Sequence, residues 1–109
     1  IHVNDFADET QMKKSLAEST ILTNATNVGM APDTDAIPIP DVHFLHPELI
    51  VSDIIYNPRQ TQLMKAAASI GCPVFNGMYM LLYQGAAAFE CWTGQEMPVA
   101  EIKKKYFSD

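Results

Sequence analysis

The chain has 109 residues, 48% of them hydrophobic, which fits one small globular domain with a modest core. Its 13 acidic and 7 basic residues give a net charge of −6, the wrong sign for binding nucleic acid or an anionic membrane. Two cysteines make no disulfide framework, and no secretion signal or membrane-spanning run is apparent. We therefore expect a cytoplasmic protein that binds neither nucleic acid nor membranes.

The first half of the chain predicts two strands separated by a helix. Residues 1–4 form a short β-type run, and Asp8 starts a capping-box-like sequence for a helix through about Glu18. Residues 21–24 form a second short apolar run, typical of a buried strand. The proline-rich stretch between Met30 and Glu48 has no regular pattern. Two interpretations of it stay open, a surface excursion near a site and a passive insertion.

The second half alternates strands and helices. Thr61 is a suitable N-cap for a helix over residues 62–70, and Pro98 a suitable start for a helix through Tyr106, with Val99, Ile102 and Tyr106 on its inner side. The other predicted elements are strands over residues 49–56 and 72–75 and a helix over residues 78–92. This order favours an α/β fold with a mainly parallel sheet, helices on both faces and right-handed crossovers.

The predicted helix over residues 78–92 has two different sides. Gly77, Met80 and Gln84 share one face on a helical wheel, and Gln84 adds an uncharged amide to it. The residues expected to pack in the core lie on a separate stripe: Met78, Leu81, Leu82, Phe89 and Trp92. The first face is therefore a candidate ligand surface.

Polar loops follow three of the predicted strands, at residues 24–30, at residues 53–58 and at Asn76-Gly77. In an open parallel sheet, ligands bind beyond the carboxyl ends of the strands. We therefore expect these three loops to meet at one edge of the sheet and to form a ligand site.

Four segments resemble the carboxy-terminal part of the shikimate dehydrogenases, most closely the quinate/shikimate branch. They occur in the family's order over nearly the whole chain: Asn24–Met30, Asp53–Pro58 with Thr61, Gly77–Ala86 and Trp92–Gly94. The resemblance implies that residues 1–109 are the carboxy-terminal part of a Rossmann-like NAD(P)-binding domain plus its closing helices. It also implies reversible oxidation of shikimate or quinate to the 3-dehydro acid, with NADP or NAD as cofactor, in aromatic amino acid biosynthesis or quinate use.

The resemblance also assigns roles to individual residues. Gln84 and Tyr56 are expected to contact the substrate, because neutral amide and phenol groups bind hydroxyls without adding charge. The expected cofactor-binding residues are Asn24, Thr26 and Met30 in the first loop, and Ile54, Gly77 and Met80 beside the nicotinamide.

Parts of the family's machinery are missing from this sequence. It contains no G-x-G-x-x-G, and the catalytic Lys and Asp of the family match nothing in it. The resemblance implies a partial Rossmann-like sheet without its first strands and Gly-rich loop. We expect residues 1–4 to be displaced, paired with another chain or packed beside the second strand.

We further expect the chain to be inactive alone and to self-associate. The alternative is a non-catalytic α/β interaction module that dimerises through an apolar helix face. His43 and His46 near Asp41 are weak metal candidates, and we expect no metal site there.

Overall fold

A computed structural model describes residues 1–108 and shows an α/β fold with a small parallel sheet. Its elements in chain order are α1 (Glu9–Glu18), β1 (Ile21–Asn24), a 3-10 helix (Val42–Phe44), β2 (Ile50–Asp53), α2 (Gln62–Ser69), β3 (Val74–Phe75), α3 (Met78–Thr93) and α4 (Val99–Tyr106). The predicted α/β class, with a mainly parallel sheet and flanking helices, is confirmed. No helix within residues 1–108 is long and apolar enough to cross a membrane.

Local sequence signals locate the helix starts. The Asp8 carboxylate accepts a hydrogen bond from the Gln11 N–H at 3.0 Å and caps α1. The Thr61 hydroxyl accepts from the Met64 N–H at 3.3 Å and caps α2. Both predicted caps are confirmed, because each satisfies an otherwise unpaired N–H of the first turn.

The three strands run parallel in the order β1-β2-β3. Leu22 of β1 lies opposite Val51 of β2, and Val51 lies opposite Val74 of β3. The same register places Asn24 opposite Asp53 where β1 and β2 end. Two polar side chains are thereby brought together at the carboxyl edge of the sheet.

The hydrophobic core lies on one face of this sheet, against α1, α2 and the 3-10 helix. Leu22, Val51 and Val74 face it from the strands. Val51 is buried, and Leu22 and Val74 are partly buried. The remaining buried members are Leu16, Ile39, Leu45, Leu49, Leu63, Ala67 and Cys72. Removal of this apolar surface from water is the main favourable contribution to folding.

The opposite face of the sheet is largely uncovered. Side chains alternate along a strand, so Ile21 and Phe75 point away from the core, and each is 58% exposed. The expectation that helices cover both faces is therefore wrong for the described residues. The chain moves across the sheet in one direction, from β1 to β2 and then to β3. Right-handed crossovers that move across a sheet in one direction place their helices on the same face, so the other face is left without a helix.

Residues 1–4 do not form the predicted strand. Ile1 and Val3 are fully or almost fully exposed, and this segment is displaced from the sheet. A four-residue run has too few backbone hydrogen bonds and too little buried surface to stay ordered as a strand without a neighbour. The displacement is one of the three outcomes expected for this segment.

Residues 30–48 are neither only a surface excursion nor a passive insertion. Ile39 and Leu45 are buried in the core, and Ile37 and Phe44 pack against it. The prolines interrupt any helical or strand periodicity, so the sequence gives no sign of this role. The apolar residues between the prolines nevertheless pack in the core.

The core prediction is also wrong at the ends of α3 and α4. Leu82 is buried, but Trp92 is 83% exposed and Tyr106 is 61% exposed. Phe107 is half-buried in place of Tyr106. The principal packing partner of α3 is α4, so the last turns of α3 have little surface to pack against.

Candidate functional site

The three polar loops meet at the carboxyl edge of the sheet, around a cavity of about 510 Å³. The cavity is lined by residues from the loop after β1, from the loop after β2 and from the first turn of α3: Ala25, Thr26, Asn27, Met30, Ala31, Ile54, Ile55, Tyr56, Asn57 and Met80. This is where the strand ends of a parallel sheet are expected to present a ligand site.

Backbone hydrogen bonds join the walls of this cavity. The Ile54 N–H donates to the Asn24 carbonyl at 3.2 Å, and the Ala31 N–H donates to the Asn57 carbonyl at 3.1 Å. The Gly77 N–H donates to the Ile55 carbonyl at 2.8 Å. The loop after β2 is therefore held on one side by the loop after β1 and on the other by the start of α3.

A buried polar network lies behind these walls. The Asp53 carboxylate is 1% exposed and accepts hydrogen bonds from Asn24 Nδ2 at 3.2 Å, the Thr61 hydroxyl at 2.9 Å and the Ile55 N–H at 3.0 Å. Thr61 is also 1% exposed, and Asn24 is 4% exposed. The network thus joins the ends of two strands to the start of α2.

The side-chain amide of Asn24 is fully used within the protein. Its Nδ2 donates to Asp53 and to the Val28 carbonyl, and its Oδ1 accepts from the N–H and the hydroxyl of Thr26. The Thr26 hydroxyl in turn accepts from the Val28 N–H at 3.1 Å. An asparagine amide has two N–H donors and two acceptor lone pairs, so these four bonds exhaust its capacity.

Gly77 is buried where α3 begins, against the end of β2. A Cβ at this position would overlap the carbonyl group of Ile54. The neighbouring Asn76 fixes the helix start, because its Oδ1 accepts from the Met78 N–H at 3.1 Å and its Nδ2 donates to the Arg59 carbonyl at 3.0 Å. The absence of a side chain at Gly77 therefore lets α3 approach the cavity wall.

The structure brings five of the eight sequence-predicted site residues together as lining of the cavity: Thr26, Met30, Ile54, Tyr56 and Met80. Asn24 and Gly77 do not line it and are buried behind its walls. Gln84 also does not line it and lies exposed on α3, one turn beyond Met80. At that spacing, Gln84 and Met80 lie on the same side of the helix.

The lining of the cavity offers mainly apolar surface and little means of proton transfer. Met30, Ile54 and Met80 contribute apolar surface, and amide groups lie at the loops. Tyr56 is the only titratable side chain among the described residues that line the cavity. General acid–base catalysis needs a proton-transferring group within hydrogen-bonding distance of the substrate, so these walls suit binding and orientation.

The side chains of the histidine-containing segment are not gathered into a cluster of metal-ligating groups among the described residues. Within residues 1–108, no group of three or more His, Cys, Asp or Glu side chains is placed to hold a metal ion. Asp41 instead accepts hydrogen bonds from the backbone N–H and the ring of His43, both at 2.8 Å. These hydrogen bonds hold the pKa of the Asp41 carboxyl below its usual range.

The pairing of Asp53 with Thr61 and Asn24 was not predicted from the sequence. The sequence predicts Thr61 as a helix cap and places it with Asp53 in one family motif, but it predicts no hydrogen bond between the two. Asn24 ends one predicted strand, but Asp53 lies within the next, predicted over residues 49–56. The earlier end of β2 at Asp53 and the parallel register place the two side chains side by side.

The sequence of this chain is similar to those of known proteins. A family model described as the Shikimate 5'-dehydrogenase C-terminal domain matches residues 77–105. The NADP(+) shikimate dehydrogenase of Listeria monocytogenes is 50% identical over 103 residues, which are 94% of this chain and 35% of that protein. That of Streptococcus uberis is 45% identical over 108 residues, covering 98% of this chain and 37% of that protein. The chain spans about a third of the length of these curated relatives.

Solved structures show the same similarity in three dimensions. Shikimate 5-dehydrogenase from Listeria monocytogenes, in complex with shikimate and NAD, matches with a TM-score of 0.86 at 48% identity, over 94% of this chain and 36% of that one. Quinate dehydrogenase from Corynebacterium glutamicum, in complex with NAD, matches with a TM-score of 0.78 at 31% identity, over 93% of this chain and 35% of that one.

Proposed function

The chain belongs to the shikimate dehydrogenase family, as its sequence motifs predicted, and we propose that it provides the carboxy-terminal part of the NAD(P)-binding domain, with the closing helices, of such a dehydrogenase. The complete enzyme interconverts shikimate, or quinate, and the 3-dehydro acid by hydride transfer. The observation that carries this proposal is the cavity at the carboxyl edge of the parallel sheet, lined by residues of the family's motifs.

The cofactor in this proposal is NADP or NAD. Met30, Ile54 and Met80 provide apolar surface against which a nicotinamide ring lies, and Thr26 lies at the edge of the same cavity. Asn24 and Gly77 serve the cofactor indirectly, since Asn24 fixes the loop after β1 and Gly77 lets α3 approach the wall.

The substrate contacts in this proposal are Tyr56 and Gln84. Tyr56 lines the cavity and is 44% exposed, so the side chain is accessible to a second molecule. Gln84 is exposed one turn beyond Met80, on the same side of α3 as that cavity-lining residue. Both are neutral groups that bind a polyhydroxylated acid without an added charge.

We assign the proton-transferring groups and the pyrophosphate contacts to segments that the relatives have outside the matched third. The described cavity residues include no Lys or Asp. The chain alone is therefore proposed to be inactive, and calorimetric titration of it with NADP and with shikimate should show no tight binding. Micromolar affinity for either compound would overturn this part of the proposal.

The role of Gln84 is tested in the complete enzyme, meaning a polypeptide that contains this chain and those additional segments. Gln84→Ala should raise the KM for shikimate far more than the KM for the cofactor, because only a substrate hydrogen bond is lost. An equal rise in both constants would exclude the assigned role. The matched control is Gln95→Ala, which changes an exposed glutamine beyond the end of α3 and should leave both KM values unchanged.

A second candidate function is a non-catalytic α/β interaction module. The observation that favours it is the exposed apolar surface of Trp92 on α3 and of Ile21 and Phe75 on the uncovered sheet face. An interaction module would bind its partner as the chain alone and would give no dehydrogenase activity when the additional segments are supplied.

A further inference from the structure

Among residues 1–108, Asp53 is the only charged side chain that is buried. Removal of a carboxylate from water is costly unless it is well hydrogen-bonded. Asp53 does not line the cavity, so it is not placed to touch a ligand. Its burial therefore calls for a role other than direct binding or proton transfer.

The three donors to Asp53 come from three parts of the chain, two of which continue into the walls of the cavity. Asn24 Nδ2 belongs to the end of β1, the Ile55 N–H to the loop after β2, and the Thr61 hydroxyl to the start of α2. Hydrogen bonds to an ionised carboxylate are stronger than those between neutral groups. One side chain thus fixes three elements relative to each other.

Two of these bonds, those from Asn24 and Ile55, continue to the cavity wall. From Asn24, hydrogen bonds to Thr26 and Val28 shape the loop after β1. From Ile55, the carbonyl group accepts the N–H of Gly77 and positions the start of α3. A change in the hydrogen-bond acceptor at position 53 is therefore transmitted to two walls of the cavity, the loop after β1 and the start of α3.

We propose that Asp53 is a positioning residue whose buried carboxylate sets the distance between the two cavity walls that receive the nicotinamide cofactor. This inference rests on the proposed function, since it takes the cavity to be the cofactor site. It concerns a residue that acts through Asn24, Ile55 and Thr61 and that does not contact the cofactor.

The test is Asp53→Asn in the complete enzyme. The amide keeps the size of the side chain, but its NH2 group must face at least one of the donors that now bind an oxygen. We expect the KM for NADP or NAD to rise by about tenfold or more, because small misplacements of binding groups have large effects. The KM for shikimate at saturating cofactor should rise clearly less than the cofactor KM, since of its two proposed contacts only Tyr56 lies in a segment held by Asp53 and Gln84 lies on α3 away from it.

Position 61 gives a second pair of variants in case Asp53→Asn does not fold. Thr61→Ser keeps the hydroxyl that donates to Asp53, and it should keep the cofactor KM within about twofold of the unsubstituted value. Thr61→Val removes that hydroxyl at nearly constant volume and should raise the cofactor KM as Asp53→Asn does.

Asp41→Asn is the matched control. It makes the same substitution at an exposed carboxylate whose hydrogen bonds go to His43, and it should leave both KM values unchanged. Loss of thermal stability in Asp53→Asn and Thr61→Val with an unchanged cofactor KM would overturn the positioning role, as would an equal rise in both KM values. If the unsubstituted complete enzyme does not reduce the cofactor with shikimate or quinate, the proposed function fails instead.

Discussion

Gly77 illustrates how one residue links packing to the site. It is buried between the end of β2 and the first turn of α3, and its N–H donates to the Ile55 carbonyl at 2.8 Å. The family resemblance implies that Gly77 lies beside the nicotinamide. The structure adds a packing reason for a glycine here, because any Cβ would overlap the carbonyl group of Ile54. This reason depends on the approach of two distant segments and is not visible in the local sequence.

We predict that Gly77→Ala destabilises the protein by about 2 kcal/mol or more, because the added methyl group must displace backbone that is already packed. Gly85→Ala is the control within the same helix, since a Cβ there would meet no atom within 4 Å. It should stabilise the protein by about 0.5–1 kcal/mol, because alanine favours the helix. Urea denaturation of both variants measures the difference. Equal effects of the two substitutions would contradict the packing reason.

At the level of secondary structure, the elements with local signals were predicted well. The caps Asp8 and Thr61 identified the starts of α1 and α2, and the predicted helix over residues 78–92 ends within one residue of α3. The errors concern elements whose state depends on neighbours. Residues 1–4 have strand composition but no strand beside them, and Trp92 is apolar but lies beyond the core.

In the candidate site too, the features with a local sequence signal were predicted and those that depend on neighbouring segments were not. The five lining residues follow from the rule that strand ends converge, combined with the family motifs. The role of Asn24 as a structural hub, with all four hydrogen-bonding positions filled inside the protein, depends on the register between β1 and β2. A single sequence does not specify that register, so the buried network behind the cavity was not predicted.

The two helix caps should differ in their contribution to stability. Thr61→Ala removes a cap from α2 and a hydrogen bond to the buried Asp53, so we expect a loss of about 2–3 kcal/mol. Asp8→Ala removes an exposed cap from α1 and should cost about 1 kcal/mol. Chemical denaturation compares them. A larger loss for Asp8→Ala would show that the buried network contributes little to stability.

At the scale of the whole molecule, the sheet has one covered and one uncovered face. Ile21 and Phe75 are exposed on the uncovered face, and β1 and β3 are edge strands. Unpaired strand edges beside apolar surface favour association with other chains. The same face is available to the additional segments that we propose for the complete enzyme.

We predict that the chain alone self-associates through this face. Sedimentation velocity should show species larger than a monomer. Ile21→Lys should shift the distribution toward monomer, because it places a charge on the uncovered face of edge strand β1 and disfavours association with another chain. Trp92→Lys, which changes an exposed residue of α3, should leave the distribution unchanged. Dispersal by Trp92→Lys alone would instead favour the helix face of the interaction-module alternative, and a monodisperse monomer would contradict self-association altogether.

We propose that this chain is one part of a dehydrogenase site and that the remaining residues of the site lie in other segments. The most direct measurement is the rate of shikimate-dependent reduction of NADP and NAD by a chimera in which this chain replaces the matched third of the Listeria monocytogenes enzyme. We predict activity in the chimera and none in the chain alone. A folded chimera that binds the cofactor but gives no reduction with shikimate or quinate would contradict the claim, as would turnover by the chain alone.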